Sequence, residues 1–142
     1  MFSTRILALS LLTLLIPAAS ASAQRSPIIT PPIGSAARRS IMDALRAHLG
    51  VESKFQVQHL RMTRRWAYLR AGELADIEGE SQETDLSVAA LLERETSNGR
   101  WTVVESWTLP GEQYQSFQEF TRLVRERQAR DTIPAGLFPP EL

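Results

Sequence analysis

The sequence predicts an α+β domain: a four-stranded antiparallel sheet, made of two hairpins, with one helix before it and one after it. Apolar residues recur at helical spacing near both ends of the chain, while alternating segments separated by turn residues fill the middle. This order needs no crossover connection, so we expect both helices to pack on one face of the sheet. With 43% apolar and 23% charged residues in a chain of 142, the composition is typical of one globular domain.

The N-terminal segment, residues 1–23, has the three parts of a secretory signal peptide. Arg5 supplies a positive charge, residues 6–16 form a short apolar core, and Ala21-Ser22-Ala23 is a small-x-small cleavage site just before Gln24. The apolar core is too short to cross a bilayer as a helix, which disfavours a transmembrane anchor. We therefore expect the mature chain to be periplasmic or secreted, with no membrane anchor after cleavage.

A first helix follows an extended leader. Residues 24–34 are rich in proline and predict the leader, and residues 35–142 then form the single domain. Ser35 offers an N-cap, Gly50 supplies the stop, and an apolar stripe recurs between them at every fourth position. The stripe consists of Ala37, Ile41, Leu45 and Leu49.

The first strand changes its pattern part of the way along. Phe55 and Val57 alternate with polar residues, whereas Leu60 and Met62 are apolar on the opposite parity. An extra residue in the strand restores a single apolar face, so this change predicts a bulge near His59.

Three further strands are predicted over residues 66–71, 86–95 and 100–109. Asn98-Gly99 predicts the hairpin between the last two. The segment between the second and third strands, residues 73–85, holds six acids and no base, and we expect it to form an exposed loop. Its acids are Glu73, Asp76, Glu78, Glu80, Glu83 and Asp85.

The C-terminal part of the chain predicts a helix and a tail. Apolar residues from Tyr114 to Val124 recur at spacings of three and four, and the arginines beyond them suit a helix C-terminus. Residues 131–142 form a proline-containing tail in which Leu137 and Phe138 are a docking pair. The order of elements gives a broadly cystatin-like or NTF2-like layout.

Composition and motifs exclude several classes of function. Sixteen basic residues balance sixteen acidic ones, so no net field recruits nucleic acid or an anionic membrane. The absence of cysteine excludes disulfides, thiolate zinc sites, a thiol nucleophile and a lipoprotein anchor. No nucleophile elbow or phosphate-binding glycine loop occurs. His48 and His59 lie on different predicted elements without local ligand spacing, so we expect no metal, no cofactor and no catalytic residues.

The candidate binding residues are Trp66, Tyr68 and Arg70, which share one side of the second strand. Two aromatic rings and an arginine have the composition of an interface centre. The sheet also carries more apolar surface than a one-sided sheet needs. Either the C-terminal tail folds back over this side, or the side meets a partner.

Four motifs resemble small exported proteobacterial proteins of unknown function. They are the R-x-x-I-x-D-A-L-R helix from Arg38 to Arg46, the Trp66-Ala67 strand, the G-x-W-x-V hairpin from Gly99 to Val103, and the I-P-x-x-L-F tail from Ile133 to Phe138. The resemblance implies export and a compact α+β module, and it supplies no catalytic residues.

Two functional hypotheses follow. In the first, the chain is an exported, non-enzymatic binding module that contacts another exported protein through the sheet or through residues 73–85. In the alternative, a cystatin-like or NTF2-like domain binds a small molecule or acts as an enzyme, with a pocket lined by Trp66, Tyr68, Trp101 and His59. A filled interior favours the first hypothesis, and a large internal pocket favours the second.

Overall fold

The computed structural model describes residues 26–111 and 116–142 and confirms the α+β class. The predicted signal peptide and Tyr114 lie outside the described residues. The four strands form one antiparallel sheet in the order β1-β2-β3-β4. The elements are α1 (Ala36–Leu49), β1 (Lys54–Met62), β2 (Trp66–Ile77), β3 (Glu80–Arg94), β4 (Trp101–Leu109), α2 (Phe117–Asp131) and a short 3₁₀ turn (Ala135–Leu137).

Helix α1 begins and ends where its capping residues predict. The Ser35 side chain accepts a hydrogen bond from the backbone N–H of Arg38 (3.2 Å), and Gly50 ends the helix in the left-handed region at φ 68°. Ile41 and Leu45, in the middle of the predicted stripe, are fully buried against the sheet. The two capping residues and the apolar stripe together determine where this helix begins, where it ends and which side it buries.

The bulge predicted in β1 is confirmed. The register with β2 shifts between Val57 and His59. Because of that shift, Phe55 and Val57 before it pack with Leu60 behind it in one cluster under α1. His59 is thereby turned to the other face of the sheet, where its ring lies edge-on to Tyr68.

The prediction that both helices pack on one face of the sheet is wrong, because α1 and α2 cover opposite faces. Buried residues of α1 pack with Leu69 and Trp101, whereas those of α2 pack with Tyr68 and Leu91. Strands β2 and β3 carry buried apolar residues on both parities, and each parity needs its own cover. One helix on each side satisfies both.

The C-terminal tail completes the cover on the α2 face. Its buried apolar side chains join the cluster around Tyr68. These tail residues are Ile133, Leu137, Phe138 and Leu142. The predicted docking pair, Leu137 and Phe138, is therefore buried within its own chain.

The prediction of an exposed loop over residues 73–85 is wrong, because strands β2 and β3 continue through it. Glu78 and Gly79 form a two-residue turn with φ values of 55° and 86°, the signs that a type I′ hairpin turn requires. Glu-Gly is a weaker turn signal than Asn-Gly, and the acidic residues hide any alternation of apolar side chains. Backbone pairing carried outward from the buried core forms the hairpin instead.

The described part of the leader lies against the outer edge of β1. Ile29 and Met62 exchange two backbone hydrogen bonds (2.9 and 2.8 Å), which makes a single antiparallel bridge. Pro31 is buried beyond that bridge. The chain then turns at residues 32–35, where the Ser35 N–H donates to the Pro32 carbonyl, and enters α1.

Candidate functional site

The predicted binding residues share one side of β2, but their own chain covers that side. Trp66 is 4% exposed and Tyr68 is fully buried, both beneath α2 and the tail. The partly exposed Arg70 donates a hydrogen bond to the Glu141 carboxylate (2.8 Å), and its guanidinium lies 5.6 Å from the centroid of the Phe117 ring. The sequence left two possible covers for this side of β2, the C-terminal tail or a partner, and in this structure the tail covers it.

Tyr68 is the most constrained of these side chains. Its ring packs edge-on against Phe138 of the tail, with 5.2 Å between the centroids, and against His59 of β1. Among the described residues its hydroxyl has no hydrogen-bond partner. Burial raises the pKa of Tyr68 to about 12, because the charged phenolate would lose its solvation. The residue is part of the core rather than of a surface.

The rings named for the alternative pocket do not line one cavity. Trp101 packs under α1, whereas Trp66 and Tyr68 pack under α2, and the sheet itself separates the two groups. A cleft of about 450 Å³ lies beside His59, but it is a surface feature between β1, α2 and the tail, and its lining includes Arg61 and Phe138.

The two histidines take separate structural positions. His48 of α1 is hydrogen-bonded to the hydroxyl of Ser106 on β4 (2.9 Å), and His59 is hydrogen-bonded to the backbone carbonyl of Leu137 (3.0 Å). Within residues 26–111 and 116–142, no three His, Asp or Glu side chains are grouped to hold a metal ion.

The feature with the geometry of an interaction site is the far end of the β2–β3 hairpin. Pairing of β1 with β2 ends at Leu74, and pairing of β4 with β3 ends at Ser87. Beyond those residues, the two long strands pair only with each other within the described structure. We call residues 73–85 the acidic arm: Glu73 and Leu74 at its base still pair with β1, and from residue 75 onward the arm projects from the sheet as a two-stranded ribbon.

A polar node at the base of the arm defines how it leaves the sheet. The register shifts there, so that Glu73 of β2 lies opposite the three residues 84–86 of β3. The Glu73 carboxylate accepts a hydrogen bond from Ser53 and another from the hydroxyl of Thr84 (2.8 Å). Irregularities of this kind bend a ribbon and fix its direction. The arm is thus a specified element and not an open loop.

The outer part of the arm presents acids around one apolar residue. Asp76, Glu78 and Glu80 are exposed near the turn, and Ile77 between them is 46% exposed. An exposed isoleucine with acidic neighbours in the chain and across the hairpin combines apolar contact area with charge selection. The sequence identified these acids, whereas the strand pairing that presents Ile77 was missed.

Comparisons with family models, with curated proteins and with solved structures found no match for this chain. The cystatin-like or NTF2-like likeness and the resemblance to exported proteobacterial proteins therefore stay predictions. No helix in the described ranges is long and apolar enough to span a membrane.

Proposed function

We propose that this chain is an exported, non-enzymatic binding module whose acidic arm contacts a basic surface of another exported protein. The observation that carries the proposal is the projection of a paired, acidic ribbon beyond the sheet. An arm of this form reaches a partner without disturbing the core from which it grows.

The way the sheet is covered supports the same proposal. Both faces are filled by helices and by the tail, so a surface contact is a better explanation than a carrier with a central chamber. Charge also supports a basic partner, since the arm holds six acids and no base while the whole chain is balanced. Complementary charge favours fast and selective association with a basic surface.

The test compares two variants that lose the same charge at different places. The arm variant carries Asp76→Asn, Glu78→Gln and Glu80→Gln. The control variant carries Asp43→Asn, Glu52→Gln and Glu126→Gln, all at exposed positions outside the arm. Each protein is used to capture partners from a periplasmic extract, and the captured protein is then purified and titrated by calorimetry.

We expect the wild type and the control variant to bind the same partner with equal affinity, and the arm variant to bind about tenfold more weakly. The difference should shrink in high salt, because exposed charges are screened. Equal affinity of all three proteins for the captured partner would contradict a role for the arm.

A further inference from the structure

A second exposed feature, separate from the acidic arm, is the turn that leads into α1. The backbone N–H of Ser35 donates to the carbonyl of Pro32 (3.1 Å), and Gly34 occupies the left-handed region at φ 80°. Ile33, inside this turn, is 88% exposed. Pro31, just before it, is buried and anchors the turn. The fold therefore holds an isoleucine out into solvent on a fixed support.

Two guanidinium groups lie beside this isoleucine. Arg38 donates to the carbonyl of Pro31 (3.2 Å), and Arg39 donates to the carbonyl of Gly34. These carbonyls lie on either side of Ile33 in the chain, so both guanidinium groups are held next to that residue, which we call the tip. A carbonyl leaves the charge of its donor unneutralised, and neither arginine forms a salt bridge within the described residues.

A groove continues from the tip along the edge of β1. It encloses about 450 Å³, and its apolar lining includes Met42, Phe55 and Val57. Arg46 also lines it, with its guanidinium paired to the Asp43 carboxylate (3.0 Å). None of the residues that line it is acidic. The surface thus combines an apolar tip, an apolar floor and the two guanidinium groups of Arg38 and Arg39, which are unpaired within the described residues.

We propose that this tip and groove bind the surface of an anionic phospholipid bilayer. Ile33 would enter the edge of the acyl region, while the planar guanidinium groups of Arg38 and Arg39 bind lipid phosphates at the level of the headgroups. The balanced net charge does not oppose this contact, because the cations act locally within a Debye length of the surface. An apolar tip between two unneutralised cations fits a charged bilayer better than it fits a neutral surface. This inference does not depend on the role of the acidic arm.

The first experiment measures binding to vesicles by co-sedimentation. The exported chain is mixed with vesicles of phosphatidylcholine alone, or of equal parts phosphatidylcholine and phosphatidylglycerol. We expect binding to the anionic vesicles only, with about a fivefold loss for Arg39→Gln and about a tenfold loss for Ile33→Ser. Ile77→Ser and Arg64→Gln, which change an exposed isoleucine and an exposed arginine elsewhere, should bind as the wild type does.

The second experiment locates the inserted residue. Since the chain has no cysteine, Ile33→Cys and Ile77→Cys can each be labelled with one environment-sensitive fluorophore. We expect a blue shift on anionic vesicles for the label at position 33 and no shift at position 77. Circular dichroism checks that each variant is folded.

Three outcomes would overturn the proposal. They are an absence of binding to anionic vesicles, equal binding to neutral ones, and binding that is indifferent to Ile33→Ser and Arg39→Gln. Loss of a captured protein partner in the tip variants, with vesicle binding unchanged, would likewise assign the tip to a protein contact and refute the bilayer.

Discussion

Trp101 of β4 packs between the sheet and α1. It is 8% exposed, packs in the cluster under α1, and has the Arg94 guanidinium 6.0 Å from its ring centroid. We expect Trp101→Ala to lower the free energy of unfolding by about 3–5 kcal/mol, because the change removes transfer energy and leaves a cavity. Urea denaturation measures the effect, with Ile33→Ser as an exposed control. An unchanged midpoint would place Trp101 outside the core.

Tyr68 gives a prediction about alkaline pH. Its pKa is raised from 10.0 to about 12 by burial, so the folded state holds this proton more tightly than the unfolded state does. The resulting stability is fully present below pH 10 and is lost as the pH rises through the folded value. Tyr68→Phe should therefore be neutral or stabilising at pH 7, since the hydroxyl has no partner among the described residues. It should also reduce the loss of stability between pH 10 and 12.

The matching measurement for Tyr68 is urea denaturation at pH 7, 10 and 11.5, with the same series for the wild type. A destabilisation of more than about 2 kcal/mol at pH 7 would mean that the hydroxyl makes a bond in solution. That result would reverse the interpretation of Tyr68 as a core residue with an unsatisfied hydroxyl.

At the scale of the elements, the C-terminal tail covers part of the α2 face of the sheet. It buries four apolar side chains on the α2 face and contacts both Tyr68 and Arg70. Deleting residues 133–142 should expose Trp66, shift tryptophan emission to the red and lower the unfolding midpoint. Deleting only Glu141 and Leu142 is the control, and its effect should be much smaller. Unchanged emission in the longer deletion would show that α2 alone covers the ring.

The sequence predicted those elements that are specified by residues close together in the chain. Helix α1 follows from Ser35, its apolar stripe and Gly50, and the bulge in β1 follows from a change of parity. The strand pairing in the acidic arm was missed because it continues the β2–β3 pairing of the core and is not encoded by an apolar pattern in the arm itself. The face that α2 covers was also missed, since no residue near Phe117 encodes which side of a distant sheet it meets.

At the scale of the whole molecule, α1 covers one face of the sheet, and α2 with the tail covers the other. Alternation along β2 correctly places Trp66 and Tyr68 on one side of the strand. The segment that covers them, however, is the tail, about seventy residues later in the chain. Long-range cover of this kind leaves no local trace in a sequence. Two features that are exposed in the described ranges are the acidic arm and the Ile33 turn, and the two carry opposite charge.

The contacts of Ile29 and Pro31 limit how much of the N-terminal segment the fold can lose. Ile29 pairs with the edge of β1 and Pro31 is buried, so cleavage after Ala23 removes neither contact. We therefore expect the exported chain to begin at or near Gln24, which intact-mass measurement of exported material would check. A mass corresponding to a chain that still begins at Met1 would contradict the signal peptide.

The same reasoning predicts how stability depends on the N-terminal boundary. A chain that starts at residue 24 keeps the two hydrogen bonds between Ile29 and Met62 and the buried ring of Pro31, whereas a chain that starts at residue 34 loses all of them. We expect the shorter chain to be less stable by about 1–3 kcal/mol, because two backbone bonds and one buried ring are removed. Urea denaturation of both chains measures the difference. Identical midpoints would mean that the leader leaves the edge of β1 in solution.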